Sequence, residues 1–220
     1  VSDETPPSAP SDGLPEPSEL EAADLATTAG ADPIAEFQKA FERARRSEPG
    51  DPTAVTLATA TQDGRPSCRV VLLKQVDARG FVFFTNYGSR KARQLEKNPW
   101  AALTAYWKSL DMQIRVEGRV ERVSDEESDA YFASRPRASQ LGAWVSRQSE
   151  PLDSRARLVG RFLKLHARYA GRTVPRPEFW GGYRLVPERV ELWWNQLHRL
   201  HDRLLYTRTA EGWVKERLYP

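Results

Sequence analysis

The run Trp193-Trp194-Asn195-Gln196-Leu197-His198-Arg199-Leu200-His201-Asp202-Arg203 sets the first question about the fold. Read as a strand from Arg199 onward, it alternates faces. Arg199, His201 and Arg203 then share one side, and Leu200 and Asp202 the other. Three potential cations in a row on one face suit an anion better than a core, and phosphate is the commonest candidate.

Working outward from this run, the flanking segments also read as short strands: Tyr183–Val186, Val190–Trp194, Arg199–Thr207 and Trp213–Leu218, with 175–182 as a loop. Ala54–Thr61, Ser67–Val76 and Phe81–Thr85 read as an antiparallel meander. Trp100–Trp107 and Met112–Val123 follow, with Gly118 as a bulge. Helices are predicted at five places. Asp32-Pro33 is an N-cap followed by Pro at the first helical position, ahead of Ile34, Phe37, Ala40, Phe41 and Ala44 at helical spacing. Ser89–Lys97 is short and basic. Ser124 with Glu127 makes a capping box for a helix to about Arg135, and a second helix spans Ser139–Ser146. Asp153–Ala170 carries Leu158, Phe162, Leu165 and Tyr169 on one stripe. Short strands with helices between them predict a β-rich α+β barrel rather than βαβ units.

Composition narrows the function classes. The 220 residues suffice for one sizeable domain. No run of about 18 apolar residues suggests a membrane span. No basic start followed by an apolar core suggests a secretory signal. The single Cys68 excludes an internal disulfide or a Cys-rich metal site, reads as a small buried hydrophobe, and favours a reduced cytoplasmic setting. Eight of the 30 acidic residues lie in 1–32, which hold no Lys or Arg. The other 22 face 33 basic residues, a net +11. Residues 1–31, rich in Pro, Ser, Ala and acids, read as a disordered tail, and 32–220 as a single domain. A basic body fits anionic small ligands or nucleic acid, but no nucleic-acid-binding motif is present.

Phosphate-loop, zinc-protease, serine-hydrolase and CxxC signatures are absent. Basic residues with small hydrogen-bonding neighbours stand in their place. Thr85-Asn86-Tyr87-Gly88-Ser89-Arg90-Lys91 runs into a helix start, where free N–H groups and the helix dipole favour an anion. Tyr131 and Arg135, four apart, share a helical face, and Ser139 follows beyond Pro136. Arg69 and Lys74 bracket an apolar strand and face opposite sides.

These pieces in order resemble the pyridoxamine 5′-phosphate oxidase family over about 32–220: RVVLLK (69–74), FFTNYGSRKARQLEKNP (83–99), YFASRPRASQLGAWVSRQS (131–149), FWGGYRL (179–185) and RLHDR (199–203). The resemblance implies an FMN-binding split β-barrel with inserted helices, active as a homodimer with flavin at the interface. It implies that Arg69, Arg90 and Lys91 hold the FMN phosphate region, and that Val70, Val71, Leu72, Lys74, Phe84 and Thr85 line the flavin. Gln113, Gln148, Ser149, Trp193 and Arg203 complete that pocket. Lys74, Tyr131, Arg135 and Ser139 bind the substrate phosphate, and Arg199 and His201, with Leu200 between them, hold the pyridine ring. The implied chemistry is hydride transfer from the substrate C4′ to the flavin, with O2 reduced to hydrogen peroxide. No metal and no nucleic acid enter. The chain departs from the family pattern at Trp194-Asn195, Met112 and Phe84, and 16–24 lacks an Arg-Arg-x-Tyr segment. The rivals are a related flavin oxidase of phenazine-pathway type and a flavin- or pyridoxal-phosphate carrier without turnover.

Overall fold

The computed structural model describes residues 32–220, so the expected tail at 1–31 lies outside the described residues. Eight strands, β1 (Ala54–Ala60), β2 (Pro66–Asp77), β3 (Gly80–Asn86), β4 (Trp100–Trp107), β5 (Met112–Arg122), β6 (Trp180–Trp194), β7 (Asp202–Thr209) and β8 (Gly212–Arg217), form one antiparallel sheet in the order β3-β2-β1-β4-β5-β6-β7-β8. A further β3–β6 pairing closes the first six into a barrel and leaves β7 and β8 as an extension. This is the β-rich α+β barrel expected. Alternation drives it: on β1, Val55, Leu57 and Thr59 point inward while Ala54 and Thr56 are exposed.

Five helices are described: α1 (Pro33–Ser47), α2 (Arg90–Lys97), α3 (Asp125–Ser134), α4 (Arg137–Val145) and α5 (Arg155–Arg168). The Asp32 carboxylate accepts from Ile34 N, and Pro33 takes the first position, as expected. The helix then buries Phe37 edge-on to Phe81 with ring centroids 4.9 Å apart, and against Trp107 at 5.6 Å. At α3 half of the capping box forms. Ser124 Oγ accepts from Glu127 N, but the Glu127 carboxylate turns to Arg79 and to Arg184. Arg184 is 2% exposed and also pairs with Asp77 at 2.7 Å. A buried guanidinium needs anions more than an exposed helix start needs a second cap.

Three strand expectations are corrected. The segments Tyr183–Val186 and Val190–Trp194 are one strand that begins at Trp180, inside the expected loop. Pro187 does not break it, because it sits opposite Gly118 at the predicted bulge, where no ladder N–H is required. A Cβ on Gly118 would meet Val186 O at 2.0 Å, so the close approach demands glycine. At this bulge β6 changes neighbour: 180–185 pair with β3, and 189–194 pair with β7. Second, β7 starts at Asp202. Leu197–Arg199 is a 3-10 turn with His198 at φ 54° and Arg199 at φ 63°. The alternation expected for Arg199, His201 and Arg203 therefore fails. Third, Cys68 is exposed, because its side of β2 is the outer face that also exposes Val70 and Leu72. The unusual Trp194 packs half-buried against the main core, and Asn195 N donates to Asp111 O.

Candidate active site

One cavity of about 580 Å3 gathers most of the predicted residues. Its walls come from β2 (Val70, Val71, Leu72, Lys74), β3 (Phe84, Thr85), α2 (Lys91), α3 with its cap (Tyr131, Arg135), α4 (Ser139) and Gln148. Lys74 reaches it from a bulge in β2, between Leu73 and Gln75. Arg135 is not helical, as Tyr131 four residues earlier suggested. It caps α3 at ψ 147°, and Pro136 forces that extended backbone. The guanidinium still reaches the same cavity and lies over Trp180 at 4.6 Å. Its Nη1 is buried without a hydrogen-bond partner among the described residues. Burial pulls its pKa down and the nearby Tyr131 opposes this. Phe84 stacks on Tyr131 with ring centroids 4.0 Å apart.

A second cationic group borders the cavity. Ser89 caps α2 by accepting from Ala92 N, and the Arg90 N–H is taken by Ser149 Oγ. Part of the expected anion cradle is thus filled by the chain itself, from a Ser149 at φ 72°. Lys91 is 8% exposed and donates to Thr85 Oγ1, Ser89 Oγ and Gln148 Oε1. None of these partners is an anion. Burial, and then the charge of Arg69, push its pKa down to about 8. Arg69 is itself lowered, first by burial, with Arg90 adding to the shift. Three buried or half-buried cations (Lys91, Arg69, Arg135) with no carboxylate partner among the described residues suit phosphate groups.

The remaining predicted residues lie elsewhere. Gln113, Trp193 and Arg203 are direct cross-strand neighbours on β5, β6 and β7, so they share a face. The His201 ring packs tilted at 43° against Trp193, with centroids 4.6 Å apart, and its Nδ1 accepts from Gln196 N. Arg203 pairs with Glu191 at 2.8 Å. Arg199 and Leu200 are exposed on the preceding turn. None of these six residues lines the cavity within this chain.

Sequence reading missed Asn86, Ser146 and Trp180 as cavity walls. All three sit inside the quoted motifs, but the sequence places Trp180 in a loop, whereas it opens β6. Asn86 Nδ2 donates to Ser146 O and so ties β3 to the end of α4.

Residues 41–169 match the family described as pyridoxamine 5′-phosphate oxidase, and 180–220 match the pyridoxine 5′-phosphate oxidase C-terminal dimerisation region. A pyridoxine/pyridoxamine 5′-phosphate oxidase of Rubrobacter xylanophilus is 60% identical over 189 residues, covering 86% of this chain and 87% of its own length. One of Myxococcus xanthus is 55% identical, covering 86% and 92%. Among solved structures, PhzG from Burkholderia lata in complex with tetrahydrophenazine-1-carboxylic acid has a TM-score of 0.82 at 34% identity, covering 91% and 96%. A pyridoxamine 5′-phosphate oxidase-related, FMN-binding protein of Nostoc punctiforme shares the fold, with a TM-score of 0.71 at 20% identity, covering 88% and 100%. The cationic cavity and the closed barrel thus occur in a chain that matches the same family along nearly all its described length, and it belongs to the pyridoxamine 5′-phosphate oxidase family.

Proposed function

We propose that the protein is an FMN-dependent oxidase that converts pyridoxamine 5′-phosphate and pyridoxine 5′-phosphate to pyridoxal 5′-phosphate, with O2 reduced to hydrogen peroxide. The observation that carries this reading is the buried, unpartnered Nη1 of Arg135 in a cavity shared with Lys74, Tyr131 and Ser139. Two cations and two hydroxyls match a phosphate monoester. Thr85 and Lys91 on the cavity wall, with Arg69, whose charge acts on Lys91, and Arg90 and Ser149 at the start of α2, make a donor set that fits a second phosphate, that of FMN. FMN when bound supplies the two-electron acceptor that O2 reoxidises.

The chain's own residues bind and orient. Val70, Val71 and Leu72 offer an apolar shelf, and the Tyr131 and Phe84 rings close one wall. Gln113, Trp193 and Arg203 lie outside this cavity. A homodimer in which one subunit's β5–β7 face meets the other's cavity would complete each site. Arg199 and His201 then hold the substrate ring from the partner side. The match of 180–220 to a dimerisation region supports this arrangement.

The test is an absorption spectrum of the purified protein, followed by a peroxide assay with the amine and alcohol substrates. Bound flavin and peroxide with either substrate is expected. Flavin without peroxide would make the protein a carrier. Turnover of a dihydro-aromatic acid in preference to either vitamer would favour a PhzG-like role.

Lys91 adds a pH signature. Its folded pKa is depressed, so below about pH 8 it is charged both folded and unfolded, and the full cost of burying the cation is present. From about 8 up to the ordinary 10.5 the folded chain gives up the proton first, and ligand-free stability rises. A bound phosphate favours the charged form and reverses this preference. FMN binding is therefore expected to take up protons near pH 8–9 and to weaken as pH rises through that window, as calorimetry in buffers of different ionisation heat would record. Affinity that is flat from pH 7 to 9.5 would remove Lys91 from the phosphate site.

A further inference from the structure

Beneath Arg69 lies a buried amide that packing does not explain. β1 and β2 set Thr59 directly opposite Ser67, and Arg69 lies two residues farther along the same face. Arg69 Nη1 donates to Thr59 Oγ1 at 2.7 Å and to Leu57 O at 3.2 Å, and Nη2 donates to Ser67 Oγ at 2.7 Å. Each hydroxyl has a single proton, and both protons go to one atom. Gln94 Oε1 on α2 accepts from Thr59 Oγ1 at 2.6 Å and from Ser67 Oγ at 2.9 Å.

The direction of this relay is fixed by chemistry. Arg has donors only, so both hydroxyls must accept from it and must donate elsewhere. A flipped amide would aim N–H groups at the two hydroxyls and turn their protons toward the guanidinium. Gln94 is 5% exposed, and its Nε2 has no hydrogen-bond partner among the described residues. An unpaired buried donor is destabilising, and Leu or Met would fill the space without that cost. The amide is retained for what its oxygen does.

We propose that Gln94 is a positioning residue for the cofactor phosphate: by holding the Thr59 and Ser67 hydroxyls as acceptors, it fixes Arg69 so that Nε–H and the remaining Nη2–H face a phosphate monoester as a fork. Three of the five guanidinium donors are engaged by the chain. The two left over are adjacent along one edge, the geometry that grips two phosphate oxygens. The inference rests on the reading of Arg69 as an FMN phosphate residue.

The test compares FMN with riboflavin, which has the same ring system without the phosphate, by quenching of flavin fluorescence on the Gln94→Met protein. The FMN Kd is expected to rise about tenfold, as for loss of hydrogen bonding around a charged group. The riboflavin Kd should stay unchanged, and the melting temperature of the ligand-free protein should hold or rise. Adding Gln94→Met to Thr59→Val should cost little beyond Thr59→Val alone, because the two act through one chain of bonds. Ser67→Ala, at a half-buried position, reads the same contrast should the Gln94 variant fold poorly. An FMN Kd unchanged in Gln94→Met, or equal weakening of both flavins with a lower melting temperature, would overturn the inference while leaving the oxidase reading intact. A parent protein that binds FMN no better than riboflavin would overturn both.

Discussion

Arg135→Met is expected to raise the KM for pyridoxamine 5′-phosphate about 100-fold, with a smaller change in kcat, since a charge-assisted contact to a desolvated phosphate is worth several kcal/mol when one partner is removed. The guanidinium lies over the Trp180 and Phe132 rings, with centroid distances of 4.6 and 5.6 Å, and no carboxylate offsets it among the described residues. Its Nη1 is unpartnered among the described residues. The same variant should leave turnover of unphosphorylated pyridoxamine almost unchanged, so any advantage of the phosphorylated vitamer should shrink. The ligand-free protein should melt no lower than the parent, because an uncompensated buried cation has been removed. A KM that stays within threefold of the parent, taken here as roughly the scatter of such contacts, would assign the substrate phosphate elsewhere.

The second large effect is expected at Arg199. Arg199→Leu should cut turnover roughly 100-fold, the scale of a misplaced reacting group, while FMN retention changes far less. The side chain is exposed and makes no hydrogen bond or ion pair among the described residues, so stability does not hide the result. Its backbone sits at φ 63°, directly after His198 at φ 54°. Two consecutive left-handed residues that are not glycine are costly, and such strain gathers where a side chain must be aimed. Equal loss of flavin and turnover would instead make Arg199 part of the cofactor pocket.

Much of this was legible in the residues. Asp32-Pro33, Ser89 and Ser124 announced three helix starts, because a cap is a local hydrogen bond written within four residues. The cavity side of the site was legible for a similar reason: Val70 to Lys74, Phe84 to Lys91 and Tyr131 to Ser139 are short runs whose order survives folding. What failed was decided at a distance. Pro187 looks like a strand end until Gly118 is found opposite it. Glu127 looks like a capping partner until Arg184 arrives from β6. The even spacing of Arg199, His201 and Arg203 suggested one face, but a 3-10 turn ends at Arg199. Gln94 gave no sequence signal, since its meaning lies in two hydroxyls on other strands.

The change of neighbour along β6 also bears on how the protein is built in time. Asn86 meets Trp180 about ninety residues later in the chain, and closing a loop of that length costs about 4 kcal/mol in chain entropy before any contact rewards it. Both halves of β6 can first pair with β5 along its other edge, and the second half carries β7 and β8 with it. The face bearing Trp193 and Arg203 needs only β5 and β7, so it can be assembled before the long β3–β6 closure. A slow final phase, in which β3 meets β6 and the barrel closes, is the expected kinetic counterpart of so non-local a pairing.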